Sequence, residues 1–122
     1  LYIFEAEEAL FDALEEMNLG KRAFTIIPRL PSESEIPYHH WLVQFDEPIH
    51  RDTLRRLEKL IDGNLMHINR HYTIRRDSGA LAAPKMDSIT QQDINRWLDA
   101  CDKVRAQGKL PKVIRENTDL LL

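Results

Sequence analysis

The sequence predicts an α+β fold, a mixed α/β sandwich in which one small sheet carries packed helices, in the order helix-strand-strand-helix-strand-helix. Two stretches rich in β-branched and aromatic residues, "RAFTIIP" (22–28) and "YHHWLVQF" (38–45), predict strands. Three other stretches repeat apolar residues every three or four positions, the period of an amphipathic helix. Helices and strands that interleave without internal repeats point to layers packed on a common sheet.

The first helix covers 5–18, where Ala6, Ala9, Leu10, Ala13, Leu14 and Met17 form one stripe and Gly20 supplies the stop. Glu5, Glu7 and Glu8 suit the positive end of its dipole, whereas Glu15 and Glu16 lie at the wrong end and are expected to face water. Strand 22–28 follows, then the polar, proline-marked loop "RLPSESEI", then strand 38–45. Alternation along that second strand turns Trp41, Val43 and Phe45 to the core, with His39 on their side near the sheet end and His40, Leu42 and Gln44 opposite. After Pro48, with Asp52 as candidate N-cap, a second helix places Leu54, Leu57, Ile61, Leu65 and Ile68 on one face. Gly63 interrupts that pattern at a cost of about 1 kcal/mol relative to alanine, enough to weaken or split the helix. A short helical or irregular segment around Tyr72 and the loop "DSGALAAP" lead to a third strand at 85–89. Thr90 and Asp93 have the spacing of a capping box and open a third helix with the stripe Ile94, Trp97, Leu98, Cys101 and Val104.

At 122 residues, with 43% hydrophobic and 30% charged residues, the chain is long enough for one folded domain, 1–122, and is unlike a disordered segment. No apolar run approaches the roughly 20 residues that span a bilayer. The first 20 residues carry six acids and no Lys or Arg, the reverse of a secretory leader. A single cysteine, Cys101, excludes an internal disulfide and suits a reducing compartment, so the cytoplasm is the expected location. The chain opens without Met on Leu1-Tyr2-Ile3-Phe4, which is consistent with a piece of a longer polypeptide. A net charge of −3 opposes general nucleic-acid binding, so the expected partners include neither nucleic acid nor membrane. Charge is uneven, however: Lys103, Arg105, Lys109, Lys112 and Arg115 face only Asp102 within 102–115. Such a basic segment suits a small anion or another domain, or is a solvated face.

Motifs of catalysis are sparse. His67 and His71, four residues apart, would share a helical face as zinc ligands can, but a third ligand at matching spacing is missing, and no bound metal is expected. His39 and His40 alternate across a strand and cannot serve one site. The sequence has no G-x-S-x-G, no C-x-x-C and no glycine-rich phosphate loop. Asp62 and Asp87 are separate carboxylates that nothing in the sequence pairs. "AQGKLPKVIRE" (106–116) remains: Gly108 and Pro111 stop the helix and stiffen the exit, and Lys109 and Lys112 flank the proline. It is either a polar tail or a shaped loop presenting an ammonium to an anion.

Four motifs in order resemble the C-terminal domain of the auxin-responsive-promoter-type (Gretchen Hagen) acyl-acid amido synthetases and their bacterial relatives. They are "EAEEALFDAL…RAFTIIP", "IPYHHWLVQFDE", "LEKLIDGNLMHINRHYTIRR" with Asp62, Asn69, Tyr72 and Arg75 or Arg76, and "QGKLPKV" with Gln107, Lys109, Pro111 and Lys112. The resemblance implies the C-terminal lid of a longer adenylate-forming enzyme, a ligase inactive as this domain alone. That enzyme would use ATP and magnesium, bound elsewhere, to activate a small carboxylic acid and pass it to an amine such as an amino acid. Its partner would be an N-terminal adenylating domain of the same polypeptide. The resemblance makes Lys109 the catalytic residue and Gln107 and Lys112 cofactor-binding residues. Lys112 stands where many members carry Arg, which loses a bidentate fork. The alternative is a non-catalytic α+β module that binds a ligand or regulates.

Overall fold

The computed structural model of the chain describes residues 3–30, 35–101 and 110–115. Its elements are α1 (Ile3–Glu16), β1 (Lys21–Arg29), β2 (Tyr38–Phe45), α2 (Arg51–Ile68), α3 (Arg70–Asp77), β3 (Lys85–Ser88) and α4 (Gln91–Ala100). The three strands form one sheet in the order β1-β2-β3, with β1 antiparallel and β3 parallel to β2. The α+β class and the order of elements match the expectation, with α3 as the short helix around Tyr72.

β2 is the middle strand and is buried on both faces. Trp41, Val43 and Phe45 meet Phe24 and Ile26 of β1 and the apolar stripes of α1 and α2. On the opposite face Leu42 and Ile27 meet Ile94 and Trp97 of α4, with Ile89, Cys101 and Ile114. Helices therefore cover both sides of the sheet. Each fully buried Leu, Ile or Trp contributes about 1.5–3 kcal/mol, so the two clusters together hold the layers.

Local chemistry sets the ends. α1 stops at Asn18 rather than Gly20: Asn18 adopts φ 56, Leu19 N–H donates to the Leu14 carbonyl at 2.9 Å and Asn18 N–H to that of Glu15 at 3.1 Å. Asparagine tolerates this left-handed geometry, and the paired bonds satisfy carbonyls the helix leaves open. Asp52 is not the N-cap of α2. His50 is, its Nδ1 accepting from Asp52 N–H at 3.1 Å, while the Asp52 charge falls in the first turn, where the dipole favours it. Gly63 does not split α2, which runs unbroken from Arg51 to Ile68 with Gly63 on its exposed side. Packing of Leu57, Ile61 and Leu65 outweighs the glycine. The Thr90–Asp93 capping box of α4 forms in both directions, Asp93 N–H to Thr90 Oγ1 at 3.1 Å and Thr90 N–H to Asp93 Oδ2 at 2.9 Å.

Candidate functional site

Residues 110–115 are anchored, so this part of the C-terminal motif is no frayed tail. Ile26 N–H donates to the Lys112 carbonyl at 2.8 Å, and Ile114 N–H donates to the Ile26 carbonyl at 3.0 Å. Val113 thereby bridges Ile26 in parallel along the outer edge of β1. Ile114 is buried in the α4-side cluster, and Leu110 packs against it. Lys112 Nζ lies 2.6 Å from Glu7 Oε1 of α1. Both side chains of that pair are well exposed, which limits it to about 0–1 kcal/mol. Ile114 contributes about 1.5–3 kcal/mol and the two backbone bonds about 0.5–1.5 kcal/mol each, so the anchor is apolar and backbone rather than ionic.

Of the sequence-predicted site residues, Lys112 stands beside a cavity of about 490 Å³ bounded by α1, β1, β2, α4 and Leu110. Gln107 and Lys109 lie outside the described residues, as do Lys103, Arg105 and Val104. Lys109 immediately precedes the anchored segment in sequence. Sequence reasoning did not single out the other polar groups at the cavity, Glu7, Lys21, Arg22, Gln44 and Gln91. The dipeptide Lys21-Arg22 at the start of a strand was the available signal.

The motif residues of "LEKLIDGNLMHINRHYTIRR" form a structural network. Arg76 grips Asp62 with two bonds, Nε to Oδ1 and Nη2 to Oδ2, each 2.9 Å, and Tyr72 Oη donates to Asp62 Oδ1 at 2.5 Å. Burial pushes the Asp62 carboxyl up, but the hydrogen bonds from Arg76 and Tyr72 and the Arg76 charge outweigh it and hold the group below its ordinary value. Burial, and then the bond to Asp62, raise the Tyr72 hydroxyl strongly, so it remains a donor. Asn69 ends α2 and caps α3, its Oδ1 accepting from Tyr72 N–H at 2.9 Å and its Nδ2 donating to Glu5 of α1 at 2.9 Å. Of the two candidate arginines, Arg76 fills the motif position and Arg75 is exposed.

Asp87 is a partner of His40, not of Asp62. Arg29 Nη2 and Nε donate to His40 Nδ1 at 3.0 and 3.2 Å. An arginine only donates, so Nδ1 must be the acceptor and Nε2–H must donate to Asp87 Oδ2, at 2.7 Å. Burial, opposed by the bond to Asp87 and reinforced by Arg29 and Lys85, leaves the His40 imidazole below its ordinary value and neutral. The row Arg29–His40–Asp87 therefore stitches all three strands together. Extended Asn69 separates His67 from His71 into different helices, so the expected shared face does not form. Among the described residues no three His, Cys, Asp or Glu side chains converge.

The arrangement puts cations at the β1 edge beside an anchored segment, with a rigid polar network away from it. A family model described as GH3 family C-terminal domain matches residues 4–118. A solved structure described as GH3.15 acyl acid amido synthetase aligns with TM-score 0.73 and 15% identity over 96% of this chain and 23% of its own. Another, AtGH3.15 acyl acid amido synthetase in complex with 2,4-DB, aligns with TM-score 0.67 and 17% identity over 95% of this chain and 22% of its own. At such identities the likeness concerns the fold, and the chain spans less than a quarter of either structure. No curated protein matches the chain.

Proposed function

Because the chain belongs to the GH3 C-terminal domain family, we propose that it is the mobile lid of an ATP-dependent ligase that adenylates a carboxylic acid and transfers the acyl group to an amine. The observation that carries this reading is the anchoring of 110–115 to β1. Cys101 at the end of α4 and Ile114 of the anchored segment are buried in the same cluster. A lysine on the anchored segment, as Lys112 is, can be delivered to phosphate oxygens at a fixed position.

On this reading Lys109 neutralises charge that develops on the activated phosphate, and Gln107 and Lys112 contact the nucleotide beside it. Lys112 must leave Glu7 to do so, at little cost for an exposed pair. The chain contributes cations toward the phosphates. Magnesium would be held by the rest of the polypeptide and the nucleotide. The carboxylic acid and amine are bound mainly outside these residues, and closure of the lid excludes water from the activated acyl group.

The test is Lys109→Ala in the full-length polypeptide. Adenylate formation, followed by pyrophosphate release, should fall by about 10²–10³-fold while the circular dichroism spectrum is unchanged. Unaltered kinetics would return the chain to the alternative, a non-catalytic binding module.

A further inference from the structure

We infer that the cavity beside Lys112 is a binding site for a small organic oxyanion, its head group held by Lys21, Arg22 and Lys112 and its apolar body laid over Ile94 and Leu110. The inference starts from an irregularity in β1. Lys21 pairs with Phe45 and Ala23 with Gln44, so Arg22 is an extra residue opposite two consecutive partners, a β-bulge. The four consecutive residues Lys21 to Phe24 border one cavity, at the edge of the sheet. Bulges re-aim side chains and occur beside binding sites.

Lys112 arrives from 90 positions away in sequence through the Val113 bridge and stands at the same cavity. Three cations thus meet two carboxylates, Glu7 at the cavity and Asp46 beside Arg22, in a chain whose net charge is −3. Lys21 Nζ lies 5.5 Å from the centre of the Phe24 ring, a cation–π contact, and neither of the other two is locked. Arg22 reaches Asp46 only at 3.7 Å, with both side chains more than half exposed, and Lys112 holds Glu7 in an exposed pair. An incoming oxyanion can take both cations from their present partners at small cost.

The floor is fixed. Gln44 is buried at 7% exposure and its Nε2 donates to Gln91 Oε1 at 3.1 Å. Gln91 is held in turn by Asn95, Nε2 to Oδ1 at 2.9 Å. Two oriented amides therefore lie between the cationic rim and the apolar patch. At about 490 Å³ the cavity falls in the range of small-molecule sites, roughly 300–1,000 Å³. Its concavity and the acidic remainder of the chain oppose a polymeric anion. The site shares only Lys112 with the proposed nucleotide contact, and it can be tested without ATP.

Phenyl phosphate titrated into the ¹⁵N-labelled 122-residue chain is expected to give saturable shifts at Lys21, Arg22 and the Gln44 side-chain amide, with Kd about 1 mM or tighter. Inorganic phosphate and benzoate divide the head group from the body, and the tighter of phenyl phosphate and benzoate identifies the natural head as phosphate or carboxylate. Neutral benzyl alcohol should bind at least tenfold more weakly than either. Arg22→Gln, with an otherwise superimposable spectrum, should weaken phenyl phosphate binding about tenfold, and Lys21→Gln should do the same if Arg22→Gln does not fold. Absence of saturable shifts with all three anions, or affinity unchanged in both variants, would overturn the inference. So would benzyl alcohol binding as tightly as phenyl phosphate. Binding that survives while Lys109→Ala leaves the full-length kinetics untouched would reject the lid reading and keep this site.

Discussion

Asp62 lies between Tyr72 and Arg76, and each of the three groups depends on the others. The carboxylate is largely removed from water, so it requires the guanidinium, and the guanidinium presents the planar fork that two carboxylate oxygens fit. Arg76→Ala should therefore destabilise the chain by about 2–3 kcal/mol, because it leaves a half-buried charge with only the tyrosine hydroxyl. Arg75→Ala, at an exposed position, should stay within about 0.5 kcal/mol. Urea unfolding of the two variants checks the pair, and equal midpoints would remove Arg76 from the network. The spacing of "LEKLIDGNLMHINRHYTIRR" brought these residues into view, but it could not choose between neighbouring arginines. That choice depends on which side of α3 faces α2, and α3 buries only Tyr72.

Elements with long apolar stripes were legible from sequence, and elements defined by partners were not. α1, α2 and α4 follow their three- and four-residue spacing, and the Thr90–Asp93 box marks the start of α4 to the residue. The direction of β3 was hidden because four residues with one buried apolar side chain carry no record of parallel or antiparallel pairing. The β1 bulge was hidden for a related reason: an extra residue becomes visible only when the opposite strand is in register. Gln107 was legible only through resemblance, and Lys109 through resemblance added to the Gly108 and Pro111 around it; both lie outside the described residues. The continuous course of α2 makes a further prediction. A Cβ at Gly63 would meet nothing within 4 Å, so Gly63→Ala should raise stability by about 0.5–1 kcal/mol. A denaturation midpoint that stays or falls would show that α2 tolerates the glycine for some reason other than packing.

Across the whole molecule the buried polar rows tie stability to pH. His40 and His39 are both held below the ordinary histidine value of 6.5 in the folded chain, chiefly by burial. As pH falls through 6.5 the unfolded chain binds protons that the folded chain refuses, so stability drops in that window. Asp62, held below 3.8, adds a second loss as pH falls below that value, again because the unfolded state takes the proton first. The melting temperature should be flat above about pH 7.5 and decline in two stages toward pH 3; His40→Gln should shrink the first stage, and an unchanged first stage would clear His40 of the effect. One more property follows from the bridge between Ile26 and Val113. Until residue 113 has left the ribosome, the outward N–H and C=O of Ile26 have none of the partners described here. A bare edge of this kind is a template for pairing with other chains. The same late segment that stands beside the cationic cavity also shields β1 from self-association, so its removal would endanger solubility as well as chemistry.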